Sequence, residues 1–293
     1  VVNQLNPEEK MTKIITHGGQ AHRDEFIACC LIAALDRSTE SIKRVPHSLF
    51  HFGMQSEGDY VVDVGLEHNP HMRRFDHHQF GKDVPCEAAF ALVAKYFGME
   101  QCESVFPWWH VSSEMDVRGP KAVAQRYGIS TDELYSLLSP IEAQLLRLFE
   151  QQETIDGHVF ALMRSMGIGW SDYLHDTLRA RKVYAMQAIV VTAETLVGEI
   201  NYLDTTMISE QNEAVSRQMA VEKCCAVIVS KDKTGNGVSL FRVDDDPRID
   251  FAQLEGDPDI LFAHKGGFIA KTKTQDVNVQ DLIVKAMAVD CVF

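Results

Sequence analysis

The sequence has no long apolar run, no Cys-x-x-Cys pair and a shortage of positive charge, and each of these excludes something. Its longest apolar stretches, such as Phe26–Leu35, are too short and too interrupted to span a bilayer, so no membrane partner is expected. Seven cysteines, with adjacent pairs at Cys29-Cys30 and Cys224-Cys225, exclude a zinc knuckle or a disulfide scaffold. That usage suits the cytoplasm or another reducing intracellular compartment. The opening VVNQLNPEEK lacks a basic segment followed by an apolar one, so no secretory signal is expected. Residues 1–10 are read as a tail before Met11, the expected natural start. With 28 basic against 42 acidic residues the formal net charge is −14, and such a chain repels long polyanions unless bound metal reverses the local field. Binding along duplex DNA is therefore not expected. Repeats, heptads and low-complexity tracts are also absent.

What is present is a chain of 293 residues, 45% hydrophobic and 24% charged, long enough for one large or two medium domains. Lys13–Thr16 reads as a buried strand broken by Gly18-Gly19, and from Asp24 the apolar residues fall at helical spacing. Tyr60–Val64 is a second strand and Arg73–His77 a third, followed by the helix CEAAFALVAKYFG with Gly98 at its end. Residues 100–190 read as mostly helical, with MRSMGIGW as an interdomain turn or joint, the break falling anywhere in about 165–200, and SDYLHDTLRARKVYAMQAIVVTAETL as a helix after it. Ala226–Ser230, Val238–Val243 and Ile260–Ala263 read as strands, KDKTGNG as a hairpin turn, and DVNVQDLIVKAMA as a closing helix. The expectation is an α/β fold: a catalytic domain over 11–190 with a mainly parallel sheet, then a smaller α+β substrate-binding domain over 191–293.

Histidines and carboxylates gather where the strands of the first domain end. His17, His22 and Asp24 surround a Gly-Gly loop at a strand–loop–helix joint, where the backbone can fold around an ion. Asp63 stands near the end of an apolar strand, a place where a carboxylate needs a partner or a metal. Asp76-His77-His78 ends the next strand, and Asp116 follows in SSEMDVRG with less local support. Each has a plainer explanation alone: His17 and His22 as loop residues, Asp24 as a helix N-cap, Asp116 as a surface residue or cap. Together, in this order within a short span, they favour a site for two divalent cations with mixed nitrogen and oxygen ligands. Arg73 and Arg74, just before that third strand, read either as solvated edge residues or as a positive patch guiding a phosphate in. Trp108-Trp109-His110 reads as core or lid packing in preference to a base-stacking platform, and Cys29-Cys30 as core.

THGGQAHRDE, DYVVDVG and RRFDHHQ resemble successive motifs of the DHH phosphoesterase superfamily, and the His-x4-His-x-Asp-Glu opening resembles its MYG branch of metal-dependent hydrolases and exonucleases. CEAAFALVAKYFG, Asp116 and FAHKGGFIAKT extend the likeness over most of residues 12–288. The resemblance implies one ion on His17, His22 and Asp63 and a second on Asp24, Asp63, His77 and Asp116, so that Asp63 bridges. It implies His78 on a substrate phosphate, Asp76 orienting the histidine pair, and His264, Gly266, Gly267 and Lys271 of the smaller domain holding substrate. Arg23 replaces a common Cys, and the Gly-Gln-Ala loop departs from the branch's pattern.

The reaction so implied is phosphodiester hydrolysis in a cleft between the domains, with hydroxide made available by two cations attacking phosphorus in line. Mn²⁺ is the expected ion, with Co²⁺ or Mg²⁺ as alternatives, because mixed His/Asp ligation suits Mn²⁺ better than Mg²⁺. The expected substrate is a nucleotide-containing molecule, foremost a short single-stranded oligonucleotide cut from one end. The alternatives are a phosphoanhydride, a small cyclic nucleotide, or a metal-binding protein without catalysis.

Overall fold

A computed structural model describes residues 11–81, 87–137, 139–195 and 198–288. The tail over 1–10 and Cys86 at the start of CEAAFALVAKYFG lie outside them. The chain divides into two compact units, residues 1–174 and 175–293. The first holds β1 Thr12–His17, α1 Arg23–Leu35, β2 Thr39–Val45, β3 Tyr60–Val62, β4 His68–Asn69 and β5 Arg74–Phe75. Helices α2 Ala89–Tyr96, α3 Cys102–Val105, α4 Pro107–Arg118, α5 Pro120–Tyr127, α6 Thr131–Ser136 and α7 Pro140–Glu150 follow, then β6 Thr154–Ile155. Helix α8, Gly157–Gln187, contains the division between units, which falls N-terminal to the 190/191 position read from the sequence.

The first sheet has the order β4-β5-β3-β1-β2-β6. β2, β1, β3 and β5 pair in parallel, and antiparallel β4 and β6 close the two edges. Central β1 is nearly all buried, as a strand covered on both faces must be, which is why KIIT reads as a continuous apolar run. Residues Asp24–Ala33 of α1 are all buried, so this helix is interior on every side and its apolar residues are not confined to one stripe.

The second unit continues with β7 Ile189–Thr195, β8 Gly198–Asp204, α9 Glu213–Glu222, β9 Val227–Lys231, β10 Val238–Arg242, β11 Ile260–Ala263, β12 Ile269–Thr272 and α10 Val279–Lys285. Its sheet, β11-β12-β10-β9-β8-β7, is antiparallel except for the β8/β9 pair, and the KDKTGNG segment joins antiparallel β9 and β10. Tyr202, Val227, Val229, Leu240, Phe251 and Ile283 belong to its core. The chain is thus an α/β protein with two sheets, the first mainly parallel. Among the described residues no helix is long and apolar enough to cross a membrane.

Three sequence readings need correction. MRSMGIGW is no turn but lies within α8; a Cβ on Gly167 would lie 2.1 Å from the Cys30 carbonyl oxygen, so the glycine serves a close approach of α8 to α1. The helix read over 171–196 stops at Gln187, and the β-branched run after it forms β7. The strand read over Arg73–His77 is only Arg74–Phe75, because the chain leaves the sheet where Asp76 turns to accept the Leu66 N–H at 2.7 Å. β2, β4, β6, β8 and β12 went unread. Cys29 and Cys30 are fully buried, and Trp109 packs edge-on against Phe90, ring centroids 4.6 Å apart.

Candidate metal centre

Strands β5, β3 and β1 lie side by side and parallel, so their C-terminal ends share one edge of the sheet, where α/β proteins build their sites. His17 is the last residue of β1, Asp63 directly follows β3, and Asp76-His77-His78 directly follow β5. Asp63 has φ +54°, a left-handed conformation that a short polar side chain tolerates, and its N–H donates to the Phe75 carbonyl at 2.9 Å. Asp24 and Glu25 come from the first turn of α1, and Asp116 from the last turn of α4.

These side chains converge. His17 Nε2 lies 3.3 Å from Asp63 Oδ2 and 3.3 Å from Glu25 Oε1. His77 Nε2 lies 3.4 Å from Asp63 Oδ1, 3.4 Å from Asp24 Oδ2 and 2.8 Å from Asp116 Oδ2. Three groups could each hold an ion, their ligand atoms within 4.8 Å of one another: His17, His22, Glu25 and Asp63; Asp63, His77 and His78; Asp24, His77 and Asp116. Asp63 belongs to two of them. Asp63 Oδ1, Glu25 Oε2, Asp116 Oδ2 and His77 Nε2 are buried without a well-aligned hydrogen bond, the last two facing each other only as an ion pair, an arrangement that costs free energy unless a cation completes it.

The electrostatics show what substitutes for that cation in the protein alone. Burial disfavours a charged His17, yet hydrogen bonds to Asp63 and Glu25 outweigh it and lift its pKa to about 10. His77 is raised too, its burial overcome by Asp116, Asp24 and Asp63. Burial pushes on Asp63 in the opposite sense, but His17 and His77 pull its carboxyl down to about 2. Burial, reinforced by Asp63 and Asp116, drives Asp24 well above the ordinary carboxylate value. Protons on histidines thus stand between carboxylates, and a divalent ion with imidazole and carboxylate donors fits the same places.

Asp24 is not the cap of its own helix, where His22 stands. It accepts the N–H groups of Ala89 (2.9 Å) and Phe90 (2.8 Å) and so caps α2. Asp76 Oδ1 takes both the backbone N–H and the ring Nδ1 of His78 at 2.9 Å, which fixes a half-exposed imidazole. That hydrogen bond also raises the His78 pKa.

The remaining sequence-read residues lie in other surroundings. Arg73 donates to Asp36 (3.0 Å) and the Gly58 carbonyl (2.7 Å) and stacks on Tyr60; Arg74 pairs with Glu67 (2.7 Å) and stacks on Phe52. In the second unit the Gly266 N–H donates to His264 Nδ1 at 2.9 Å. Gly267 has φ +69° with no room for a Cβ beside Asp250, and Lys271 donates to Asp232 at 2.7 Å. Two residues at the centre were given no role by the sequence. Glu25 hides its part inside a helix-capping pattern. His47 stacks on His17, centroids 5.0 Å apart and planes 14° apart, but arrives from the turn after β2 with no local signature.

Over 70 residues the chain is 43% identical to MYG1 exonuclease of Rattus norvegicus and 41% identical to that of Homo sapiens. Over 93 residues it is 36% identical to the MYG1 protein of Chlamydia pneumoniae. The matches span 17% of each mammalian protein and 23% of this chain, and 30% of both chains in the chlamydial case. Among solved structures, a pGpG-specific phosphodiesterase from Vibrio cholerae aligns over 92% of this chain and 94% of its own, with TM-score 0.28 and 12% identity. Residues 13–250 match the family model named for MYG1 exonuclease, and the chain belongs to that family, described as the uncharacterised protein family UPF0160.

Proposed function

We propose that the chain is a metal-dependent phosphodiester hydrolase of the DHH phosphoesterase superfamily, an exonuclease acting on short single-stranded oligonucleotides. The observation that carries this reading is Asp63, one carboxylate whose two oxygens face His17 on one side and His77 on the other. The exonuclease name of the mammalian relatives supports the same class. One cation is assigned to His17, His22 and Asp63, and a second to Asp24, Asp63, His77 and Asp116. Mn²⁺ is preferred because the donors mix imidazole nitrogen with carboxylate oxygen.

When bound, the two cations supply positive charge to the phosphoryl centre and make an activated water available near neutral pH. The chain's own residues supply orientation. Asp76 holds His78 by its backbone and by Nδ1, which leaves Nε2 as the nitrogen to face a phosphate oxygen. Asp24, tied to α2, and Asp116, on α4, set His77 from two further sides. Arg73 and Arg74 are committed to Asp36 and Glu67, so the phosphate contact is assigned to His78. His264 with Gly266 and Gly267 is assigned to substrate in the second unit; Lys271, paired with Asp232, would have to exchange that partner to take part. The net charge of −14 favours short substrates over long strands.

The test is a Mn²⁺-dependent hydrolysis panel of 5′- and 3′-labelled short RNA and DNA, cyclic dinucleotides and pyrophosphate, with His77→Ala as control. Mononucleotides released from one labelled end, and lost in the variant, are the expected result. Turnover of pyrophosphate or a cyclic dinucleotide alone would move the function to those substrates.

A further inference from the structure

Glu25 is a fully buried carboxylate with more bonding capacity than its surroundings use. Its Oε1 accepts the His22 N–H at 2.8 Å and lies 3.3 Å from His17 Nε2, the distance that separates the same nitrogen from Asp63 Oδ2. Its Oε2 is buried and has no hydrogen-bond partner. The other ring nitrogen of His17, Nδ1, is 3.1 Å from the Gly18 carbonyl, which selects the tautomer with the proton on Nδ1. Once a cation displaces the proton that otherwise stands between His17 and these carboxylates, that tautomer leaves the Nε2 lone pair for the ion, and three donor atoms face one another. Two ligands about 2.1 Å from one ion at a tetrahedral angle sit roughly 3.4 Å apart, so the spacing matches a shared cation.

The plain explanation for Glu25 is a counter-ion for Arg44. It fits poorly: Arg44 Nη2 is 3.6 Å from Oε1, beyond a hydrogen bond. Nη2 donates instead to the Gly19 carbonyl and Nη1 to that of Phe149, whose ring the guanidinium also covers, and Nε has no partner. We propose that Glu25 is a further ligand of the ion held by His17, His22 and Asp63, a role that rests on the two-cation reading above. The first ion then has two carboxylates and two imidazoles, and because Oε1 also accepts the His22 N–H, the ligand carboxylate is tied to the start of α1.

The test titrates Mn²⁺ into the metal-free full chain by calorimetry, with the electron paramagnetic resonance of bound Mn²⁺ followed alongside. Wild type, Glu25→Gln and Asp116→Asn are compared. Glutamine keeps an oxygen for the His22 N–H, so the variant should fold, with a metal-free melting temperature lowered only by the lost attraction to His17. The expected result is two ions in wild type, with one site weakened at least about tenfold in Glu25→Gln and the other in Asp116→Asn. Equal affinities at both sites in Glu25→Gln and wild type would overturn the role of Glu25 and leave the two-cation reading standing. A wild type that binds no Mn²⁺ would overturn both. Should Glu25→Gln fail to fold, a crystal structure of the wild-type Mn²⁺ complex decides: a Glu25 oxygen within about 2.3 Å of the ion supports the ligand, and one beyond about 3 Å removes it.

Discussion

The two sheets treat buried charge in opposite ways. In the second unit, buried Asp232 meets Lys271 at 2.7 Å, and buried Thr272 takes the Val238 N–H at 2.8 Å. These two are satisfied by neighbours, and the buried atoms left without a partner in that unit, such as Arg242 Nε, are not carboxylate oxygens. In the first unit Glu25, Asp63 and Asp116 each keep a buried carboxylate oxygen without a hydrogen-bond partner; among the described residues, no other buried carboxylate does. The difference teaches where to look for chemistry. A sheet that pairs its buried carboxylates is finished by folding, whereas one that leaves carboxylates facing each other still needs something from outside.

Three measurements test that contrast. The largest effect is expected at Asp63. Asp63→Ala should abolish the rise in melting temperature that Mn²⁺ gives the wild type and reduce hydrolysis by more than the about 10–100-fold that follows loss of a residue merely supporting a ligand. If the Mn²⁺ shift survives, the first unit's cluster is an ion-pair network and the contrast fails. A middle effect is expected from two glycines at backbone close approaches. A Cβ at Gly167 would stand 2.1 Å from the Cys30 carbonyl oxygen, and one at Gly237 2.0 Å from that of Thr272. Gly167→Ala and Gly237→Ala should each cost about 1–3 kcal/mol in denaturant unfolding. Only Gly167→Ala, which pushes on the helix carrying Asp24 and Glu25, should also weaken Mn²⁺ binding.

The smallest effect concerns Asp36, a satisfied carboxylate of the first unit. Burial opposes its ionisation, but hydrogen bonds from Ser38 and Tyr60 and the charge of Arg73 hold its pKa below the ordinary value. A depressed folded value means the stabilisation is present above the unfolded pKa and is lost as pH falls through the folded one. Wild type should therefore exceed Asp36→Asn by under about 1 kcal/mol at pH 6, and thermal melts should show the gap closing below about pH 4. A gap that widens with acid would contradict the assignment.

The parallel first sheet was legible because KIIT and YVVDV are buried on both faces and carry little else. β2 was hidden because TESIKRV mixes polar with apolar residues, its exposed and buried positions interleaved. Gly167 and Gly169 read as breakers, since the reason for Gly167, the Cys30 carbonyl, is 137 residues away in sequence. At the centre, His17, His22, Asp24, Asp63, His77 and Asp116 were legible because strand ends and loops are poor places to bury such groups for packing alone. Glu25 and His47 were not. One looks like a helix-capping glutamate, and the other reaches His17 only through the turn after β2.

Asp24 carries a consequence of its own for how such a family diverges. Its two oxygens hold the first N–H groups of α2 while one of them faces His77. Selection on folding and selection on the centre therefore act on one side chain and cannot be relaxed separately. A descendant that abandoned the chemistry would still be under pressure to keep aspartate here, so an intact Asp24 in a relative testifies to the fold. The residues free to drift after such a loss are those with no second employment, Asp116 among them, and their retention is the better witness of a working site.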